Sequence, residues 1–256
     1  MPQKYPKYAT IPLSHSPSHT PPLTSPPSHP HPPDAPHMTT RPPKPPPRAP
    51  QPPRYLLLWK PYNVLCQFSP SATSPHPTLA SCVQLPGVYP VGRLDRDSEG
   101  LLLLTDDGLA QHKLCDPRFG HERTYWAQVE GGPTPEALER LKGGVVLPGG
   151  HHTLPARAAP LPPPDLPPRT PPIRYRAQIP DAWISLTLTE GRNRQVRHMT
   201  AAVGFPTLRL VRASMRIEGR GAALTLTLAG LTPGAWRHLA PAEVQALRRW
   251  VHGERP

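Results

Sequence analysis

The sequence predicts an α+β fold, a mostly antiparallel mixed sheet with flanking helices, preceded by a tail that cannot fold. Three observations carry this. Strand-like segments outnumber helical ones, few of them alternate as β-α-β units, and the texture of the chain changes abruptly at Tyr55. Of the 44 prolines in 256 residues, 20 lie in residues 1–53, together with five histidines and few large aliphatic side chains beyond Ile11, Leu13 and Leu23. Such a segment buries too little apolar surface to offset its ordering entropy, so residues 1–53 are expected to be a disordered, Pro/His-rich tail and residues 54–256 the folded domain.

The elements of the domain follow in order. Leu56 to Pro61 reads as a short apolar strand stopped by proline, and Asn63 to Phe68 as a second. Residues 69–90, rich in Pro and Ser, are expected to be irregular. Leu101 to Thr105 is uniformly apolar and too short for a helix, which predicts a central strand; after the Asp106-Asp107-Gly108 turn, Leu109 to Leu114 has helical spacing. Glu122 to Val129 alternates as a strand. Thr134-Pro135-Glu136 then offers an N-cap, a first-turn proline and an acid favoured by the helix dipole, opening a helix to about Lys142 that Gly143-Gly144 ends.

Leu154 to Ala159 is expected to be a strand and residues 160–172 a proline-rich surface loop. Trp183 to Thr189 is the clearest half-buried alternation in the chain. Asn193 is placed to cap a helix with Val196, Thr200 and Val203 on its inner face, ended by Gly204 and Pro206. Strands are predicted at Leu208 to Ile217 and Leu224 to Leu228, and Pro241 opens a last helix to about Val251.

Charge narrows the function classes. The net charge is +12; five Lys/Arg against Asp34 in the tail account for +4, leaving +8 on residues 54–256. A basic fold points to a polyanionic partner, of which nucleic acid is the commonest. No apolar run reaches the roughly 18 residues of a membrane span, and prolines interrupt any signal-peptide core, so no membrane role and a cytoplasmic location are expected. Cys66, Cys82 and Cys115 are isolated, and His151-His152 has no partners at ligand spacing, so no metal site is expected.

Three patches carry chemistry. The first is Gly92-Arg93-Leu94-Asp95-Arg96-Asp97-Ser98-Glu99-Gly100, an acidic, glycine-bounded loop set directly against the strand at Leu101. A carboxylate there is held by a rigid element close to arginines, as a nucleophilic or acid-base aspartate requires. A loop aspartate taken alone more often caps a turn. The second is Arg123-Thr124-Tyr125, whose tyrosine, judged alone, more often serves packing. The third is Glu190-Gly191-Arg192-Asn193-Arg194-Gln195-Val196-Arg197-His198-Met199, where a helix start and three arginines would together hold a phosphate or carboxylate.

The run from Gly92 to Gly108 resembles the signature G-R-L-D-x-x-S/T-x-G-L-L-L-L-T-D/N-D-G of the RsuA/RluE-type pseudouridine synthases at every specified position. With the K/R-x-Y strand and the E-G-R-N-R-Q-V-R helix start, the similarity extends from about Arg54 to the Gly234-to-Leu239 segment. The resemblance implies that Asp95 is the essential aspartate, Tyr125 the aromatic that packs on the target uracil, and Arg197 the partner that pairs with Asp95. It makes Arg93, Arg123, Arg192 and Arg194 candidate RNA contacts. Asp97 and Glu99 are rival carboxylates that the motif leaves outside the catalytic position. Two residues depart from the family's pattern: Arg123 stands where lysine is expected, and His198 where a second arginine is frequent.

The implied activity turns a uridine of ribosomal RNA, 23S by preference, into pseudouridine, and it needs no cofactor. Residues 1–53 lack the core of the small RNA-binding domain that some family members carry, which aligns the chain with the large-subunit rRNA members, acting as a monomer. The competing class is a non-catalytic RNA-binding or ribosome-assembly factor on the same fold. Met38, ahead of Thr39-Thr40-Arg41, is an alternative translation start.

Overall fold

A computed structural model describes residues 51–173, 179–219 and 221–253. The tail expected from sequence lies, up to residue 50, outside the described residues. The elements run β1 (Tyr55–Lys60), β2 (Tyr89–Pro90), β3 (Glu99–Thr105), α1 (Gly108–Cys115), β4 (Glu122–Glu130), α2 (Pro135–Gly143), β5 (Arg157–Leu161), β6 (Asp181–Leu188), α3 (Gln195–Ala202), β7 (Thr207–Gly219), β8 (Ala222–Thr227), β9 (Trp236–His238) and α4 (Pro241–His252). Among the described residues nine strands form one sheet in the order β5-β6-β4-β7-β3-β1-β9, with β2 beside β3 and β8 beside β7. The class is α+β, as predicted, and β3–β7 is its one parallel pairing among the described residues.

β1 and β3 read as continuous apolar runs because both of their faces are covered. Leu57, Trp59, Leu101 and Leu103 pack toward α4, where Leu247 and Trp250 are buried. Leu56, Leu58, Leu102 and Leu104 pack on the opposite face against Val64, Leu79, Val83 and Val88. A third cluster lies under α2 and α3 and holds Ile184, Leu186, Val196 and Met199. Burying one large aliphatic side chain stabilises by roughly 1.5–3 kcal/mol, so these clusters dominate the stability of the domain.

Caps confirm several of the predicted boundaries. Asp107 accepts from Ala110 N at 3.0 Å at the start of α1, and Thr134 accepts from Ala137 N at 3.2 Å at the start of α2. Three expectations are corrected. Asn63 to Phe68 is not a strand: Asn63 takes φ 65° and donates to Arg96 O, and Leu65 makes only an isolated bridge to Thr78, with Leu65 N donating to Pro77 O. The strand placed at Leu154 starts at Arg157 instead, because Leu154 N is taken by a Glu190 carboxylate oxygen at 2.8 Å. Asn193 does not cap α3. Arg194 holds that position at φ 51°, and Gln195 satisfies the end by accepting from Arg192 N at 2.9 Å.

The register lines up one row across five strands: Lys60, Gly100, Arg212, Tyr125 and Leu186. Gly100 has φ 106°, and a Cβ there would lie 2.4 Å from Arg212 O, so β3 and β7 approach at a distance only glycine permits. Beside this contact Glu99 and Arg209 form a buried two-pronged ion pair, 2.9 Å in both bonds. Residues 162–173 form a proline-rich strap against this part of the domain. Pro167 O accepts from Arg209 at 3.0 Å, and the Arg169 guanidinium lies 4.2 Å from the centre of the Tyr62 ring.

Lys60 is fully buried and donates to Pro61 O, Val64 O and Arg96 O at 2.9, 2.7 and 3.3 Å. Burial pulls its pKa down to about 8. The folded chain therefore holds this proton less tightly than the unfolded chain, so the residue lowers stability at neutral pH, and the penalty is relieved as pH rises from about 8 toward 10.5. Relative to Lys60→Met, wild type should gain about 3 kcal/mol of unfolding free energy over that window. Urea denaturation of both proteins at stepped pH measures it, and a flat difference would mean that the ammonium is not desolvated.

Candidate active site

The loop 92–98 enters β3 and is tied down from several sides. Ser98 N donates to Asp95 O at 3.1 Å to close a turn, and Asn63 N donates to Arg96 O at 2.8 Å. The Arg96 side chain bonds Asn63 in return, and Lys60 adds its bond to the same Arg96 carbonyl. Gly92 N donates to Cys115 Sγ at 3.1 Å. The turn thus has little freedom, which is what a reacting side chain needs from its support.

The structure gathers the three sequence patches around one open cleft of about 860 Å³, lined by Arg93, Asp95, Asp97, Arg123, Tyr125, Arg192 and Arg194 among others. Tyr125 comes from β4 at a register shift between Thr124 and Tyr125, part-buried over the α2–α3 core. Arg93 and Arg192 are exposed at the rim. Arg123 behaves differently: it donates to His121 O and Leu114 O at 3.3 and 3.4 Å, and burial lowers its pKa. It forms wall under Tyr125 more than free surface for a phosphate.

The three loop carboxylates separate clearly. Glu99 is consumed by Arg209. Asp97 accepts from both terminal nitrogens of Arg194 at 2.9 Å. Its burial would raise its pKa, but the Arg194 hydrogen bonds and the Arg197 and Arg194 charges outweigh burial and hold it below the usual carboxylate range. Asp95, whose side chain is 31% exposed, has one ion-pair contact among the described residues, Arg194 Nη1 at 3.8 Å. It lines the cleft, and among the described residues no hydrogen bond claims its carboxylate oxygens.

The expected Arg197–Asp95 pair is corrected by this geometry. Arg197 Nη2 donates to Asp97 O at 2.7 Å, Nη1 to Thr207 O at 3.3 Å, and Nε lies 3.4 Å from Asp97 Oδ2, an ion-pair distance without hydrogen-bond geometry. Arg194 and Arg197 stand three residues apart at the start of α3 and reach the same loop, and the turn at Asp95 swings Asp97 toward both. Arg197 lies behind the cleft wall as a brace.

Sequence reasoning missed three residues and gave a fourth, Glu190, only as the first residue of the third patch. Arg212 lines the cleft, buried, with Nε donating to Leu101 O at 2.6 Å. Arg209 and Lys60 are buried cations inside apolar strands, a signal in itself, because such a charge must find a partner. Glu190 organises the third patch: it accepts from Leu154 N at 2.8 Å and Gln195 Nε2 at 2.6 Å, and lies 3.3 Å from His151 Nε2.

Comparison with known proteins bears on what this cleft does. Residues 54–202 match the family model described as RNA pseudouridylate synthase. A protein of Xanthomonas axonopodis pv. citri named ribosomal large subunit pseudouridine synthase E is 57% identical over 161 residues, covering 62% of this chain and 84% of the relative. The protein of the same name from Xanthomonas campestris pv. campestris is 54% identical, covering 71% and 93%. A crystal structure of a pseudouridylate synthase superposes with a TM-score of 0.59 at 27% identity, covering 76% of this chain and 74% of that one.

Removing the brace should be felt in stability. Arg197→Ala is expected to lower the unfolding free energy by about 3 kcal/mol, since it strips a charge partner and two carbonyl bonds at once. Arg197→Lys should recover part of this, because one ammonium cannot reproduce the planar fork. Thermal denaturation of the three proteins decides; equal and slight losses would mean that Arg197 braces nothing.

Proposed function

The chain belongs to the RNA pseudouridylate synthase family, and we propose that it isomerises one uridine of large-subunit (23S) ribosomal RNA, with Asp95 as the reacting carboxylate. The carrying observation is the Asp95 carboxylate, free toward an open cleft while Asp97 and Glu99 are held by arginines. Pseudouridine formation breaks the N1–C1′ bond, turns the uracil and joins C5 to C1′; N1 gains a hydrogen, C5 loses one, and nothing is oxidised. The demand resembles that of a glycosidase, in which a carboxylate near C1′ attacks or stabilises a cationic sugar or takes a proton from it.

The uridine must leave its stack to be reached, and Tyr125 offers a ring on which the detached uracil can rest while it turns. Arg93 and Arg192 at the rim supply phosphate contacts, and Arg194, expected from sequence to join them, is held by Asp97 deeper in. Among the described residues no helix is long and apolar enough to cross a membrane. The reading has the enzyme working as a monomer in the cytoplasm, where its RNA is.

Mapping pseudouridines in 23S rRNA from a deletion strain complemented with wild type or Asp95→Asn tests the reading. One site should vanish on deletion, return with wild type and stay absent with Asp95→Asn; persistence of every site in the deletion strain would refute it. Tyr125→Ala should lose most turnover in vitro while keeping much of its RNA affinity, since one stacked base contributes about 1–3 kcal/mol against many phosphate contacts. Unaltered turnover would remove Tyr125 from the reaction.

Affinity should also fall steeply with salt, with a log-log slope near −0.7 per contacted phosphate on single strands. Filter binding across a salt series reads it, and a flat response would speak for a partner other than RNA.

A further inference from the structure

We propose that Arg212 is a catalytic residue: from the floor of the cleft its guanidinium donates a hydrogen bond to a carbonyl oxygen of the target uracil, and stabilises the charge that gathers there as the N1–C1′ bond breaks. The inference rests on the isomerisation proposed above and adds the group that meets the departing base.

The pairing of β3 with β7 ends at Gly100 and Arg212, and Arg212 Nε takes the next carbonyl, Leu101 O, at 2.6 Å. One N–H thus ties the side chain to the sheet. Arg212 is only 4% exposed, yet it lines the cleft. Among the described residues its terminal nitrogens bond no protein group, and they are not among the buried atoms left without a partner. Nitrogens neither bonded nor sealed, on a residue that lines the cleft, open on the cleft. A desolvated guanidinium in that position needs an acceptor, since an unmet buried donor costs about 1–3 kcal/mol and a charged one more.

The register favours the uracil as that acceptor. Arg212 is the registered partner of Tyr125, and side chains paired across strands stand on one face with Cβ atoms about 4.5–5.5 Å apart. Leu188 and Leu210, both buried, line the cleft beside them. A base resting on the Tyr125 ring therefore has an apolar seat with one fixed cation at its edge. A phosphate is met earlier, by Arg93 and Arg192 at the exposed rim. When the N1–C1′ bond breaks, its electron pair leaves with the uracil, and the charge spreads from N1 onto O2 and O4. The turn that brings C5 to C1′ runs about the N3–C6 axis and exchanges O2 with O4, so one fixed donor serves the base before and after it. The pair returns through C5, which loses a proton while N1 gains one.

With a 23S fragment at saturation, Arg212→Met should lower kcat on the order of 10²- to 10³-fold, the usual loss when a donor to a developing oxyanion is removed, while KM changes little. Arg212→Lys should recover part of the rate. Thio substitution separates this contact from a merely structural role, because sulfur accepts hydrogen bonds poorly. A 2-thiouridine or 4-thiouridine at the target position should slow wild type severalfold and slow Arg212→Met far less. Sulfur alters the ring equally for both enzymes, so the ratio of the two effects reports the bond. Equal slowing of both enzymes, or no slowing of wild type by either base, would overturn the proposal. So would a loss confined to KM with a shallower salt slope, the mark of a phosphate contact. Crystals of wild type soaked with uracil decide independently of any variant and of the RNA. A carbonyl oxygen within about 3.2 Å of an Arg212 terminal nitrogen supports the assignment; no uracil on Tyr125, or one seated away from Arg212, overturns it. Failure of wild type to modify any 23S fragment would instead strike the substrate assignment and leave that crystallographic result standing.

Discussion

The close approach of β3 and β7 at Gly100 is the contact on which the rest of the site depends. Parallel neighbours bring the segments that precede them to the same end of the sheet. Here the segment before β3 is the Asp95 loop, and the segment before β7 is α3 with its arginines. Two stretches about 100 residues apart in sequence, from Asp97 to Arg194 and Arg197, are thereby brought to hydrogen-bond distance. The pairing is short, two registered residue pairs, and it is backed by the Glu99–Arg209 ion pair beneath it. Because β4 pairs with β7 on its other side, Tyr125 falls in the same lateral row as Gly100, and the aromatic reaches the carboxylate's cleft without a loop of its own.

A net +8 on the folded region suggests a surface free to meet RNA, but the arginines at the site divide into two populations. Arg197, Arg209 and Arg212 are committed to the protein, to carbonyls of the loop and strands or to a buried carboxylate. Arg93 and Arg192 stand at the rim, the Arg192 guanidinium 3.9 Å from Glu190. The committed group sets geometry, and the rim group is left for phosphates. Planar guanidinium suits the first task better than ammonium, because several donors leave one head in fixed directions.

Much of this was legible in the sequence, and the boundary of what was legible has physical causes. β3, β4, β6, α2 and α4 announce themselves through burial on one or both faces and through local caps, which spacing alone encodes. β9 does not: its three residues are a strand only because Leu56 to Leu58 lie beside them, some 180 positions earlier in the chain. Asn63 to Phe68 failed in the opposite sense, apolar enough for a strand but with its backbone claimed by the Arg96 carbonyl, the Pro77-to-Leu79 segment and the Lys60 ammonium. At the site, the motif located Asp95, Tyr125 and the arginines together. Which arginine meets which aspartate was out of reach, since Asp95 and Asp97, like Arg194 and Arg197, are near-equivalent neighbours until the turn at Ser98 distinguishes them.

The strap at residues 162–173 shows that a segment without regular secondary structure need not be a loose one. Its prolines already restrict the backbone in the unfolded chain, so little conformational freedom remains to be surrendered when it docks. Arg169 on the Tyr62 ring, the Pro167 carbonyl on Arg209 and Leu166 against the core then seat it. A glycine- or serine-rich connector of the same length would surrender more freedom on docking and so would need a larger interface. Backbone stiffness does here what added interface would otherwise have to do.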